Sequence, residues 1–119
     1  MNILIIDDSR LLKIMIKDYL NNLGHEAYMA ENGLEGLAAA EKFKPDIILL
    51  DYNMPVMDGP TFLKNYIGNK ISQAKVIMMT TESSMEIMKE VIGLGASEYI
   101  IKPFDEQVLK EKIERVVNL

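Results

Sequence analysis

The sequence predicts an α/β domain with one parallel sheet covered by helices on both faces, and three observations predict it. Strand-like apolar runs alternate five times with segments of helical periodicity along the 119 residues. The runs are near-continuous Ile, Leu, Val and Met rather than an in–out alternation, the pattern of strands buried on both faces. Four of the five end, at their carboxyl edge, in Asp, Thr or Lys. Right-handed crossovers leave few topologies, and the flavodoxin-like doubly wound (βα)5 order 2-1-3-4-5 is the expected one.

The elements follow in order. A strand near 2–6, Ile3-Leu4-Ile5-Ile6, runs into Asp7-Asp8. The first helix, near 9–23, carries Leu12, Met15, Ile16, Tyr19, Leu20 and Leu23 at helical spacing, with Ser9 to cap it and Gly24 to end it. The second strand, near 26–30, is the most polar of the five and is expected at a sheet edge. A helix near 33–43 leads to the third strand, near 46–51, where Ile47-Ile48-Leu49-Leu50 runs into Asp51. Pro60 suits the first turn of the next helix, near 60–69. The fourth strand, near 75–80, ends in Thr80, and the fourth helix spans about 83–94. Tyr99-Ile100-Ile101 runs into Lys102-Pro103 as the fifth strand, near 98–102, with a cis peptide expected at that proline. The last helix, near 105–118, opens at Asp105 and repeats Leu109, Ile113, Val116 and Val117 on one face. No linker, repeat or low-complexity stretch interrupts 1–119, so a single domain is expected.

Composition removes several function classes. Hydrophobic residues make up 49% and charged residues 26%, the balance of a soluble globular chain. With no cysteine, disulfides, thiol catalysis and cysteine-ligated metal centres are excluded. The single histidine, His25, sits in a turn without catalytic partners and reads as a surface residue. A net charge of −5 without a Lys/Arg cluster argues against direct nucleic-acid binding. No apolar run reaches the ~20 residues that span a bilayer, and no basic leader precedes the first strand. A soluble cytoplasmic protein is the expectation.

In open parallel sheets ligands bind outside the carboxyl ends of the strands, where strand order reverses. That rule brings Asp7, Asp8 and Asp51 together, with Thr80 and Lys102 arriving from the fourth and fifth strands. Three clustered carboxylates cannot all ionise without counter-charge. An oxygen-only donor set selects a hard divalent cation such as Mg²⁺. A metal and a lysine beside one carboxylate suit phosphoryl transfer, which is mostly positioning and charge stabilisation.

Asp7-Asp8, the run Asp51-Tyr52-Asn53-Met54-Pro55-Val56-Met57-Asp58-Gly59, Thr80, and the run from Gly95 to Phe104 together resemble a response-regulator receiver domain. The single-domain chemotaxis (CheY-like) type is the most similar form, and the likeness covers essentially the whole chain. The resemblance implies that Asp51 is the nucleophile that takes a phosphoryl group from a partner kinase's phosphohistidine. It implies Mg²⁺ ligation by Asp8 and Asp51, a contribution from Asp7 through metal-bound water, and the backbone carbonyl of Asn53 as a further ligand. Lys102 would pair with the phosphoryl oxygens and Thr80, rather than the adjacent Thr81, would hydrogen-bond to them. Tyr99 would be the aromatic that turns into space vacated behind Thr80. The implied partners are a sensor histidine kinase or phosphotransfer protein and a downstream target, met by the fourth helix, fifth strand and fifth helix. On the fourth helix Met85, Ile87, Met88, Val91, Ile92 and Leu94 spread over ~180°, wider than the ~100° stripe a surface helix buries, so an exposed apolar remainder is expected.

Other readings share parts of this pattern. An Asp-nucleophile, Mg²⁺-dependent phosphatase of the haloacid-dehalogenase type needs a second acid two residues after the nucleophile, where Asn53 stands. A flavin carrier of the same fold needs a phosphate loop that Asp7-Asp8 would repel. A pseudo-receiver would lack one of the acids or the lysine, and none is missing. A phosphorelay intermediate and a receiver cut from a longer regulator stay open as alternatives. Met29, Met54 and Met57 read as packing residues.

Overall fold

The computed structural model describes residues 1–71 and 73–118. Strands form where the aliphatic runs lie: β1 (Asn2–Ile6), β2 (Glu26–Ala30), β3 (Ile47–Asp51), β4 (Lys75–Thr80) and β5 (Glu98–Ile101). Helices α1 (Arg10–Asn22), α2 (Gly33–Phe43), α3 (Gly59–Gly68), α4 (Met85–Gly93) and α5 (Glu106–Val117) alternate with them. All strand pairs are parallel and the order is β2-β1-β3-β4-β5, as predicted, with the polar β2 at one edge. Every boundary falls within two residues of its sequence expectation. Ser72 and Leu119, inside the expected 1–119 domain, lie outside the described residues.

Period-2 alternation along the strands divides the core into two layers. Ile3, Ile5, Ile47, Leu49, Ile77, Met79 and Ile100 face Ile16 and Leu20 of α1 and Leu109, Ile113 and Val116 of α5. Leu4, Ile6, Ile48, Leu50 and Met78 face Ala40 of α2, Phe62, Leu63 and Tyr66 of α3, and Val91 of α4. The central strands are therefore sealed on both faces, which is why their runs lack polar alternation.

Side-chain caps fix where the helices begin. Ser9, Asn32, Asp58, Ser84 and Asp105 each accept a hydrogen bond from the backbone three residues on, each worth about 1 kcal/mol. Gly24, at φ +86, turns the chain out of α1. Gly59 is required by close approach: a Cβ there would meet the Asp51 carbonyl oxygen at 2.6 Å.

Two expected core residues are displaced. Met15 is 41% exposed and Val117 53% exposed, whereas Lys13 is buried. Helix α1 seats on Ile16 and Leu20, so Met15 falls at the margin of the stripe and the aliphatic stem of Lys13 takes up packing surface. The tip of α5 likewise extends past the layer that buries Val116.

Candidate functional site

Strand register delivers the predicted residues to one place. β1 and β3 are neighbours at the switch point, with Ile6 opposite Leu50, so the following Asp7 and Asp51 emerge side by side. Asp8 follows Asp7, and one carboxylate oxygen from each of the three lies within 4.8 Å of the others. Asp7 and Asp51 are buried while Asp8 is exposed, which gives the cluster an open side. Thr80, opposite Ile101, sets the chain so that the amide of Lys102 donates to the Thr80 carbonyl (2.8 Å). The Lys102–Pro103 peptide is cis, as the sequence predicted.

The Lys102 ammonium bridges two of the acids. It lies 2.8 Å from Asp51 Oδ1 and 2.9 Å from Asp7 Oδ2. The other Asp7 oxygen accepts from the Ser9 amide at 2.8 Å, so Asp7 has one protein partner on each oxygen. The Asp7–Lys102 pair was not legible in the sequence, which offered Asp7 only as an outer metal residue; no spacing encodes a contact across 95 positions. Thr80 is buried, and its hydroxyl accepts from the Glu82 amide at 3.0 Å. Thr81 is exposed and outside the strand, whereas Thr80 ends β4.

Electrostatics explain what such a pocket can hold. Three carboxylates face one ammonium, so two negative charges stay uncompensated if all ionise. Burial pushes the Asp51 carboxyl above its ordinary value; the Lys102 hydrogen bond opposes this, and the Asp7 and Asp8 charges add to it. Burial works against the charged form of Lys102, but the bonds to Asp51 and Asp7 outweigh it and raise its pKa. An oxygen-only donor set with surplus negative charge and one open side fits a hard divalent cation.

The remaining predicted residues take distinct positions. Asn53 is exposed in the loop after Asp51. That loop turns tightly around Val56, whose φ of +70 is unusual for a β-branched residue, with the Met57 amide donating to the Pro55 carbonyl at 2.7 Å. Met54 and Met57 pack against the core, while Met29 is exposed. Tyr99, opposite Met78, shares a sheet face with Thr80 by period-2 alternation. It is half-buried, with the Lys112 ammonium 4.7 Å from its ring centroid. His25 is half-buried beside the Met1 amine (3.1 Å), and burial together with that charge lowers its pKa. Among the described residues no helix is long and apolar enough to cross a membrane.

Known proteins share this sequence pattern and fold. The family described as the response regulator receiver domain matches residues 3–114, and the chain belongs to that family of two-component signalling domains. Likenesses that span both chains include several of the chemotaxis type. The chain is 36% identical over 117 residues to chemotaxis protein CheY of Bacillus subtilis, covering 98% of this chain and 97% of that protein. The solved structure of CheY4 from Vibrio cholerae has a TM-score of 0.89 at 35% identity, over 97% of each chain. A protein-glutamate methylesterase/protein-glutamine glutaminase of Rhodospirillum rubrum is 41% identical over 102 residues, covering 85% of this chain but 28% of that protein.

Proposed function

We propose that residues 1–119 form one receiver domain that accepts a phosphoryl group on Asp51 from the phosphohistidine of a sensor kinase or phosphotransfer protein. The observation that carries the reading is the Lys102 ammonium bridging Asp51 and Asp7 inside the carboxylate cluster. An Asp51 oxygen attacks phosphorus, the P–O bond forms, and the P–N bond breaks with its electron pair left on the imidazole nitrogen. The ring departs neutral when its other nitrogen carries a proton. Lys102 is placed to exchange its carboxylate contact for the new phosphoryl oxygens, and the Thr80 hydroxyl to donate to them.

Asp7, Asp8, Asp51 and the Asn53 backbone carbonyl would hold Mg²⁺. When bound, the ion supplies the positive charge that lets the carboxylates and the phosphoryl oxygens share one pocket. The domain acts as a phospho-acceptor, with its own residues promoting both gain and loss of the group, rather than as an enzyme for a separate substrate. A cytoplasmic location fits a partner that presents phosphohistidine.

Output through α4, β5 and α5 is supported by what α4 leaves open. Met85 is 67% and Ile92 46% exposed, and they line a groove of about 440 Å³ with Met88, Lys89, Gly93 and Tyr99. Added charge at Asp51 draws Thr80 toward the site, and Tyr99 turns into the space behind it. A protein target in a chemotaxis-type pathway suits the full-length likeness to chemotaxis regulators.

Intact mass after incubation with acetyl phosphate and Mg²⁺ tests the reading. One phosphoryl adduct is expected, absent in Asp51→Asn and absent with chelator. An adduct that survives Asp51→Asn would place the chemistry elsewhere.

A further inference from the structure

A second tie links the acid pocket to α4, through a residue that the phosphoryl chemistry does not use. Tyr52 follows Asp51 directly. Its amide donates to the Met79 carbonyl of β4 and its own carbonyl accepts from the Gly59 amide, both at 2.9 Å. The backbone of Tyr52 is thus pinned on both sides. Its ring packs against the core, and its hydroxyl donates to Glu90 Oε1 on α4 at 2.5 Å. A hydroxyl-to-carboxylate bond is charge-assisted and stronger than a neutral one. The bond to Glu90, then burial, then the Glu90 charge push the Tyr52 phenol up to about 12, so it stays a donor at physiological pH.

Helix α4 is seated less deeply than its neighbours, with Ile87, Met88 and, at its end, Leu94 only half-buried. It buries Val91 alone, whereas α1 buries Lys13, Ile16 and Leu20, and α3 buries Gly59, Phe62, Leu63 and Tyr66. One directional bond from a pinned backbone position then adds appreciably to what fixes the helix. The bond occurs in the same arrangement in which the Lys102 ammonium contacts both Asp7 and Asp51 directly.

We propose that the Tyr52–Glu90 hydrogen bond is a strut holding α4 in its resting position, made before phosphorylation and given up when the output face switches. Tyr52 acts here as a positioning residue, and the proposal rests on the phosphoryl-accepting reading above. A contact made in only one of two states biases the equilibrium toward that state. By linkage, removing it must tighten binding of whatever favours the other state.

The probe is fluoroberyllate, a phosphoryl mimic, titrated with Mg²⁺ into the wild type, Tyr52→Phe, Glu90→Ala and the double variant. Amide exchange in α4 is followed on the same samples. One charge-assisted bond at a partly exposed position predicts about fivefold tighter binding in each single variant. The double variant should bind no tighter than the singles, and α4 amides should exchange faster before any mimic is added. Unchanged affinity in Tyr52→Phe, even with a lowered melting temperature, would make the bond merely structural and overturn the strut. Singles that add in the double variant would show that the two residues act separately, with the same result. Failure of the wild type to bind the mimic or accept a phosphoryl group would instead overturn the receiver chemistry, and the strut with it.

Discussion

The acid pocket and the α4 flank lie at neighbouring strands yet are held in opposite ways. In the pocket, backbone and side-chain bonds hold the buried charges: Asp7 is engaged at both oxygens and Lys102 by two carboxylates. On the flank, α4 fully buries one side chain and leaves Met85 largely and Ile92 nearly half in solvent. A site that must place charge within a few tenths of an ångström needs the first kind of support. A surface that must move needs the second, because a helix with a full buried stripe would cost several kcal/mol to shift.

Substitutions of matched chemistry in the two regions should separate them most sharply. Leu49→Ala, in β3 beneath the pocket and fully buried, is expected to lower unfolding free energy by about 3 kcal/mol in a urea titration. A loss below ~1 kcal/mol would mean that the scaffold of the pocket is softer than its packing indicates.

The pocket's electrostatics give the next effect. The folded pKa of Asp51 lies above its ordinary value, so between the two values the folded state holds more protons than the unfolded one. Stability contributed by this group therefore falls as pH rises through that window and stays lower at neutral pH. Asp51→Asn, which resembles the protonated acid, should melt higher than wild type at pH 7 without Mg²⁺. That advantage should shrink to nothing as pH drops below the ordinary carboxylate value. A gain independent of pH would point to a cause other than the Asp51 charge.

Strain in the loop over the pocket predicts a smaller change. Glycine in place of an ordinary residue costs ~0.5–1 kcal/mol through backbone entropy, but Val56 occupies the left-handed region, where a β-branched side chain is strained. Val56→Gly is thus expected to leave stability unchanged or raise it by up to about 1 kcal/mol. A clear loss in chemical denaturation would show that Val56 packs rather than strains.

The flank should respond least. Met85→Ala is expected to stay within about 0.5 kcal/mol of wild type in the same titration, since its side chain is mostly in water, and Ile92→Ala, at a position nearly half exposed, within about 1 kcal/mol. Destabilisation by more than ~1 kcal/mol would assign this surface to the core and remove it as an output face.

The sequence by itself determined the sheet, its order and the position of the charged strand ends. Unbroken aliphatic runs read as doubly covered strands, Ser9 read as a cap and Asp105 as a helix start because these signals are local. The convergence of Asp7, Asp8, Asp51, Thr80 and Lys102 was legible for a topological reason: parallel strands of similar length bring their carboxyl ends to one edge. Tertiary structure alone decided that Lys102 spans Asp7 and Asp51, that Lys13 rather than Met15 packs under α1, and that Tyr52 reaches Glu90. Each depends on the docking angle of a helix or the reach of a long side chain across the fold. Periodicity along the chain says which face of an element is apolar, but not how far it turns toward its neighbour.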